Sequence, residues 1–171
     1  SPMVTLNSEA DANNLKLLRS NLRSAFESKG VNLSYNHILL KICAQVLTEF
    51  PLFNARLEGD EVILQDEVNI GLAIALEDGL IVPAVKNVAR KGLFQIAVET
   101  EELIERARGN KLTPDDISGG TFTITNLGMF DVRDFTPIIN PPQCAILGVG
   151  AMTDRPVAID GEVVIRPIMV L

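Results

Sequence analysis

The sequence is short of cysteine, histidine, positive charge and long apolar runs, and each shortage excludes something. Two cysteines in 171 residues, Cys43 and Cys144, lie far apart in apolar surroundings and make no disulfide framework, so a reducing compartment is expected. A net charge of −7 leaves no basic face for nucleic acid. No apolar run approaches the ~20 residues that cross a bilayer, and no signal-peptide pattern opens the sequence. Nucleotide loops are missing too: neither Gly71 nor Gly128 belongs to a G-x-G-x-x-G that follows a strand, and there is no G-K-[ST]. Repeats and low-complexity tracts are absent, and no metal centre is expected. What remains is an ordinary globular composition, 47% apolar and 22% charged. The length suits one domain that buries roughly 70% of its unfolded surface.

Alternation and helical periodicity divide the chain into elements. Pro2 to Glu9 reads as a strand. Asp11 or Asn13 can cap a helix carrying Leu15, Leu18, Leu22 and Phe26 at the 3.6 period, which Gly30 ends. Ser34 caps a second helix with Ile38, Leu39, Ile42, Cys43, Val46 and Phe50 as its apolar face, stopped by Pro51. Phe53–Leu57 and Val62–Leu64 form a hairpin through Gly59-Asp60. Val68–Leu76 and Leu80–Val85 flank Asp78-Gly79, the strongest short hairpin signal present. A helix from about Leu93 to Arg108 ends at Gly109-Asn110, and Thr113-Pro114-Asp115-Asp116 opens a short helical turn. Strands then recur at Thr121–Thr125, Ala145–Val149, Pro156–Ile159 and Val163–Leu171, the last two joined across Asp160-Gly161. The order predicts an α+β fold, a mixed sheet with helices packed on one face.

The stretch from Gly119 to Ala151, GGTFTITNLGMFDVRDFTPIINPPQCAILGVGA, carries the chemistry. Its TFTIT strand places the hydroxyl of Thr125 just before an Asn126-Leu127-Gly128 turn, and a loop with Pro141 and Pro142 leads into the apolar run Cys144 to Val149. Elsewhere stand Asn69-Ile70-Gly71-Leu72-Ala73, Asp78-Gly79-Leu80-Ile81-Val82-Pro83-Ala84-Val85 and Arg106-Ala107-Arg108-Gly109-Asn110-Lys111-Leu112. In this order the segments resemble the catalytic domain of the dihydrolipoamide acyltransferases of 2-oxo acid dehydrogenase complexes. The resemblance covers nearly the whole chain.

It implies a chloramphenicol-acetyltransferase-like domain over residues 1–171, incomplete at both ends. The lipoyl and subunit-binding domains would lie upstream. The apolar strand Val163–Leu171 would run on into a D-H-R-x-x-D-G segment that carries the catalytic base. It also implies transfer of an acyl group between the thiols of dihydrolipoamide and coenzyme A, the lipoyl group being borne by a separate domain of the same protein. In the family's F-T-[IV]-[ST]-N-L-G pattern a strand hydroxyl stabilises the tetrahedral oxyanion. That position here is Thr125, where serine is commoner; threonine keeps the hydroxyl but stiffens χ1.

His37 is not expected to be the base. It sits in the first turn of a helix, partly exposed, where the family keeps no catalytic group and no carboxylate is implied to orient it. Lys86, Arg90 and Lys91 are the densest basic cluster in an acidic chain, and Lys86 and Arg90 are candidates for the phosphates of coenzyme A. Asn140-Pro141-Pro142 reads as a rigid turn and Cys144 as a small core residue. The Asp78–Val85 run is expected to be buried on both faces.

The Asn126–Phe130 and Ile138–Pro142 spellings look most like acetyl-transferring members. As partners the resemblance implies a homotrimer that assembles into a larger symmetric core, with the active site at the subunit interface, and the complex's dehydrogenase and decarboxylase components. No nucleic acid or membrane is expected. The expected location is the cytoplasm, or the mitochondrial matrix in a eukaryotic cell. Two other readings stay open: a scaffold core without catalysis, and a free-standing acetyltransferase of the same fold.

Overall fold

Apolar spacing, caps and turn residues decide where the helices begin and end. A computed structural model describes residues 3–77 and 79–171. Helix α1 is Asn13–Glu27, with the Asp11 carboxylate accepting the Asn13 N–H at 2.8 Å and Gly30 turning the chain at φ +77°. Helix α2, Tyr35–Glu49, starts at a Ser34 cap and stops before Pro51. Helix α3 is Leu93–Arg108, and Asn110 takes the left-handed position just beyond it. The strands are β1 (Glu9–Asp11), β2 (Ala55–Glu58), β3 (Glu61–Leu64), β4 (Ile70–Leu72), β5 (Ile74–Leu76), β6 (Gly79–Ile81), β7 (Ala84–Val85), β8 (Phe122–Asn126), β9 (Ile146–Val149), β10 (Met152–Ile159) and β11 (Glu162–Val170).

A four-stranded sheet in the order β7-β4-β8-β9 forms the centre, with β4, β8 and β9 parallel and β7 antiparallel. One face carries Ile70, Leu72, Val85, Phe122, Ile124 and Val149, packed with Leu40, Ala44, Leu47, Ile96 and Leu103 of α2 and α3 into the main core. Burying such side chains fully contributes about 1.5–3 kcal/mol each. A second sheet, β1-β11-β10, is antiparallel throughout and turns through Asp160 and Gly161, both at positive φ. Two hairpins, β2-β3 and β5-β6, complete the strand set. Among the described residues no helix is long and apolar enough to cross a membrane. The α+β class, the mixed sheet and the helices on one face are as expected.

Several local expectations need correction. The apolar face of α2 is partly as expected: Ile38, Leu39 and Cys43 are buried, but so are Leu40, Ala44 and Leu47, whereas Ile42, Val46 and Phe50 are 48%, 45% and 56% exposed. Along α1, Leu18 is exposed. The first strand begins only at Glu9, although Ser8 still exchanges both backbone hydrogen bonds with Leu171; Pro2 lies outside the described residues. The Val68–Val85 hairpin is two paired segments, β4 with β7 and β5 with β6, and Asp78 at its turn lies outside the described residues. The Leu80–Val85 run is not buried on both faces, since Leu80 is 68% exposed. Thr113–Asp116 does form a short turn as expected, closed by the Asp116 N–H to the Thr113 carbonyl at 3.1 Å. Cys144 is exposed and not a core residue, because the turn after Pro142 carries it to the surface against the carbonyl oxygens of Leu52 and Phe53.

Candidate active site

Strand β8 alternates, and the alternation sorts its side chains by role. Phe122 and Ile124 face the helices. Thr121, Thr123 and Thr125 face the other way. The first two hydroxyls are committed. Thr121 Oγ1 donates to Asn54 Oδ1 at 2.6 Å and accepts the Asn69 N–H at 3.0 Å. Thr123 Oγ1 donates to Gln143 Oε1 at 2.6 Å, and Gln143 Nε2 reaches the Gly120 carbonyl at 3.2 Å. The third differs. Thr125 is half-buried, and among the described residues its hydroxyl has no hydrogen-bond partner. The hydroxyl is not among the fully buried atoms, so at the strand end it is free to meet a ligand.

Small neighbours keep that hydroxyl accessible. In the parallel register Thr125 lies beside Gly148, and on its other side the β4 strand passes into Ala73, whose N–H bonds the Ile124 carbonyl at 3.0 Å. A Cβ on Gly148 would come 3.3 Å from Phe135 and Pro137. Gly148 opens on a cavity of about 250 Å³ lined by Phe53, Phe135, Pro137, Cys144 and Leu171. Thr125 is not itself among the lining residues; its register partner is. A second cavity, about 320 Å³, lies on the helix side and is lined by Ser34, Asn36, Asn126, Gly128, Met129 and Met169. The end of β8 therefore stands between two recesses.

The turn after Thr125 is pinned by backbone and side chain together. Leu127 N–H bonds the Val149 carbonyl at 3.0 Å, and Gly128 N–H bonds Asn126 Oδ1 at 2.8 Å. Gly128 has no room for a side chain, since a Cβ would lie 2.6 Å from the Gly150 carbonyl oxygen. Asn126 Nδ2 donates to Asn36 Oδ1 at 2.6 Å, tying the strand end to the start of α2. Sequence reasoning missed Asn36 and Gly148. Ninety positions separate Asn36 from Asn126, and no local pattern announces that contact.

His37 is buried, 2% exposed, and not partly exposed as expected. It belongs to a capping box: Ser34 N–H donates to His37 Nδ1 at 3.2 Å, and His37 N–H donates to Ser34 Oγ at 3.4 Å. Burial pushes its pKa down to about 4. It belongs to α2, whose core residues pack on the face of the sheet opposite the Thr125 hydroxyl, and it is built as a helix cap.

Lys86 and Arg90 are not brought to Thr125. Val85 pairs with Ile70, so Lys86 lies at the Phe122 end of the central sheet, roughly 10 Å along β8 from Thr125. The Lys86 ammonium donates to the Ser118 carbonyl, within a cavity of about 180 Å³ that also holds Lys91, Glu99, Glu102, Arg106 and Asp116. Its surroundings are of mixed charge. Lys91 is paired with Glu99. Arg90 is exposed, and among the described residues its side chain has no ion-pair partner. Among the described residues no group of three His, Cys, Asp or Glu side chains is placed to hold a metal ion.

A mixed sheet with helices packed on one face is an architecture shared with a solved structure. The fold matches chloramphenicol acetyltransferase at a TM-score of 0.53 and 18% identity, over 97% of this chain and 77% of that one, a likeness of fold alone. The sequence goes further. It matches the family described as 2-oxoacid dehydrogenases acyltransferase (catalytic domain) over residues 1–171, and the chain belongs to that family.

Its relatives transfer different acyl groups. The chain is 38% identical over 169 residues to the dihydrolipoyllysine-residue acetyltransferase component of the pyruvate dehydrogenase complex of Rickettsia felis, covering 98% of this chain and 41% of that protein. It is also 38% identical over 170 residues to the dihydrolipoyllysine-residue succinyltransferase component of the 2-oxoglutarate dehydrogenase complex of Haemophilus influenzae, covering 99% and 42%. The chain thus spans about two fifths of the length of these relatives. Two solved structures are close. Azotobacter vinelandii dihydrolipoamide acetyltransferase, studied for the role of a serine, a histidine and an asparagine in its catalytic mechanism, superposes at a TM-score of 0.95 with 41% identity, covering 99% of this chain and 70% of that one. The cubic core of a pyruvate dehydrogenase multienzyme complex superposes at 0.94 with 40% identity, covering 98% and 70%.

Proposed function

We propose that this chain is the catalytic domain of an acyltransferase that moves an acetyl group between dihydrolipoamide and coenzyme A, with Thr125 as the oxyanion donor. The observation that carries the reading is the unpaired, half-buried Thr125 hydroxyl beside Gly148, at the position the family's F-T-[IV]-[ST]-N-L-G pattern assigns to that role. A thiol of pKa about 8.5 is mostly protonated at neutral pH, so a base must take its proton. The thiolate sulfur attacks the thioester carbon and a new C–S bond forms. The carbonyl electron pair moves onto oxygen, where Thr125 donates a hydrogen bond to the charge. Collapse of the tetrahedral intermediate breaks the old C–S bond, and the departing thiolate takes the proton from the base. His37, buried and bound to Ser34, does not fill that role. In this reading a D-H-R-x-x-D-G segment following β11, contributed across a subunit interface, supplies the base.

The preference for acetyl rests on the Asn126-Leu127-Gly128-Met129-Phe130 spelling, and the succinyl-transferring relatives make it the finer part of the proposal. Residues 1–171 are read as one catalytic domain of a longer chain, whose lipoyl group is borne elsewhere. A homotrimeric unit within a larger symmetric core, working with the dehydrogenase and decarboxylase components, fits the exposed apolar residues Phe50, Leu52, Phe53, Leu57, Val62 and Leu64. Arg90 is the freer of the two proposed phosphate contacts, because the Lys86 ammonium already gives one of its three donors to the Ser118 carbonyl. Free thiols at Cys43 and Cys144 suit the cytoplasm or mitochondrial matrix.

The test uses the full-length, assembled protein. It is expected to move acetyl from acetyl-coenzyme A to dihydrolipoamide faster than succinyl from succinyl-coenzyme A. Thr125→Ala is expected to lower kcat by roughly 10²–10³, the scale for one lost oxyanion donor. An unchanged kcat in that variant removes the assignment.

A further inference from the structure

We propose that Asn36 and Asn126 form a positioning pair that aims the Thr125 hydroxyl from the opposite face of the sheet. The proposal rests on Thr125 being the oxyanion donor.

A threonine side chain is stiff at χ1, so where its hydroxyl points follows from where its backbone points. The ladder pairs Thr125 with Gly148 and Asn126 with Val149, and one residue on from Thr125 the Asn126 side chain adds a further tie on the helix side of the sheet. Asn126 is held at both ends of its side chain: Oδ1 accepts the Gly128 N–H at 2.8 Å and Nδ2 donates to Asn36 Oδ1 at 2.6 Å. The network fixes the amide orientations. The Gly128 N–H needs an acceptor, so Asn126 must turn its oxygen that way; its NH2 then faces α2, and Asn36 must present oxygen. Displacing the Asn126 Cα, and with it the end of β8, would break both bonds.

Packing does not substitute for this pair. Asn36, Asn126 and Gly128 all border the cavity of about 320 Å³, so on that side the strand end has open space behind it. The hydrogen bond to Asn36 is the tie across that space. Asn36 itself is well founded: it is the second residue of α2, next to the Ser34–His37 capping box. The start of a helix thus acts as the anchor for a turn ninety residues away.

The experiment is a set of cycles in the full-length assembled protein, with acetyl transfer to dihydrolipoamide as readout and melting temperature as control. Asn36→Ala is expected to lower kcat roughly 10- to 100-fold, the scale for a misplaced catalytic group, with KM for both substrates within twofold. In a Thr125→Ala background the same change is expected to cost nothing further, because Asn36 acts only through that hydroxyl. Asn36→Asp keeps the accepting oxygen and suits the first turn of a helix, and it is expected to restore the rate to within a few fold of wild type. Should Asn36→Ala fail to fold, Asn126→Ser carries the same test, since its hydroxyl can still meet the Gly128 N–H but cannot reach Asn36.

The positioning role is overturned if Asn36→Ala keeps wild-type kcat while Thr125→Ala is impaired. It is equally overturned if the two losses multiply, or if Asn36→Asp is as slow as Asn36→Ala. An unimpaired Thr125→Ala would instead overturn the reading of Thr125, and this proposal with it.

Discussion

Mild acid should weaken the fold through His37 before most carboxylates protonate. The folded protein holds this imidazole neutral, with its pKa pushed by burial from the ordinary 6.5 down to about 4. The unfolded chain therefore binds more protons between these two values. Stability from this source is complete above pH 6.5 and drains away as pH falls toward 4. From pH 7 to pH 5 the linkage amounts to about 2 kcal/mol, and the full shift to about 3 kcal/mol. Protonation would also take away the Nδ1 lone pair that receives the Ser34 N–H, so the loss falls at the start of α2. The comparison is His37→Gln, which offers a non-titrating acceptor in the same capping box. Urea unfolding at fixed protein concentration, at pH 7 and pH 5, gives the two stabilities. Wild type is expected to lose about 2 kcal/mol more than the variant. Equal losses would refute the reasoning, because the variant has nothing to protonate at that position.

Three other outcomes follow from the same geometry. Gly150→Ala would place a Cβ 1.9 Å from the Arg133 carbonyl oxygen, and the variant is expected to yield no soluble folded protein when expressed beside wild type. Thr123→Val removes the donor to Gln143 Oε1 from a buried site and is expected to cost about 1–3 kcal/mol in denaturant unfolding. If Arg90 meets a phosphate of coenzyme A, Arg90→Ala should raise KM for acetyl-coenzyme A several-fold with kcat unchanged, and lowering the ionic strength should enlarge the effect; an unmoved KM removes that contact.

Much of the architecture was legible because it is local. Helix α3 announces itself by period and by Gly109-Asn110, and the β2-β3 and β10-β11 turns by Gly59-Asp60 and Asp160-Gly161. What was not legible depends on distant partners. Helix α2 is apolar on more than one stripe, so periodicity could not choose between Leu40-Ala44-Leu47 and Ile42-Val46-Phe50; the central sheet makes the choice. His37 looked exposed because a histidine in the first turn of a helix is usually wet, and no pattern marks it as the reciprocal member of a cap with Ser34. Parallel pairing of β4, β8 and β9 spans long loops and leaves no trace in turn chemistry. At the site, the motif located Thr125. Its neighbour Gly148 and the Asn36 tie needed coordinates.

The threonine ladder on β8 has a consequence for how this segment can change. Its lower two rungs hold Asn54 and Gln143, and the top rung is left for chemistry. Because successive residues point to opposite sides, one residue deleted between Thr121 and Thr125 would swing the last hydroxyl round to the helices and send an asparagine amide out in its stead, and one residue inserted would likewise turn that hydroxyl away. The segment should thus survive many exchanges of side chain but no alteration of length.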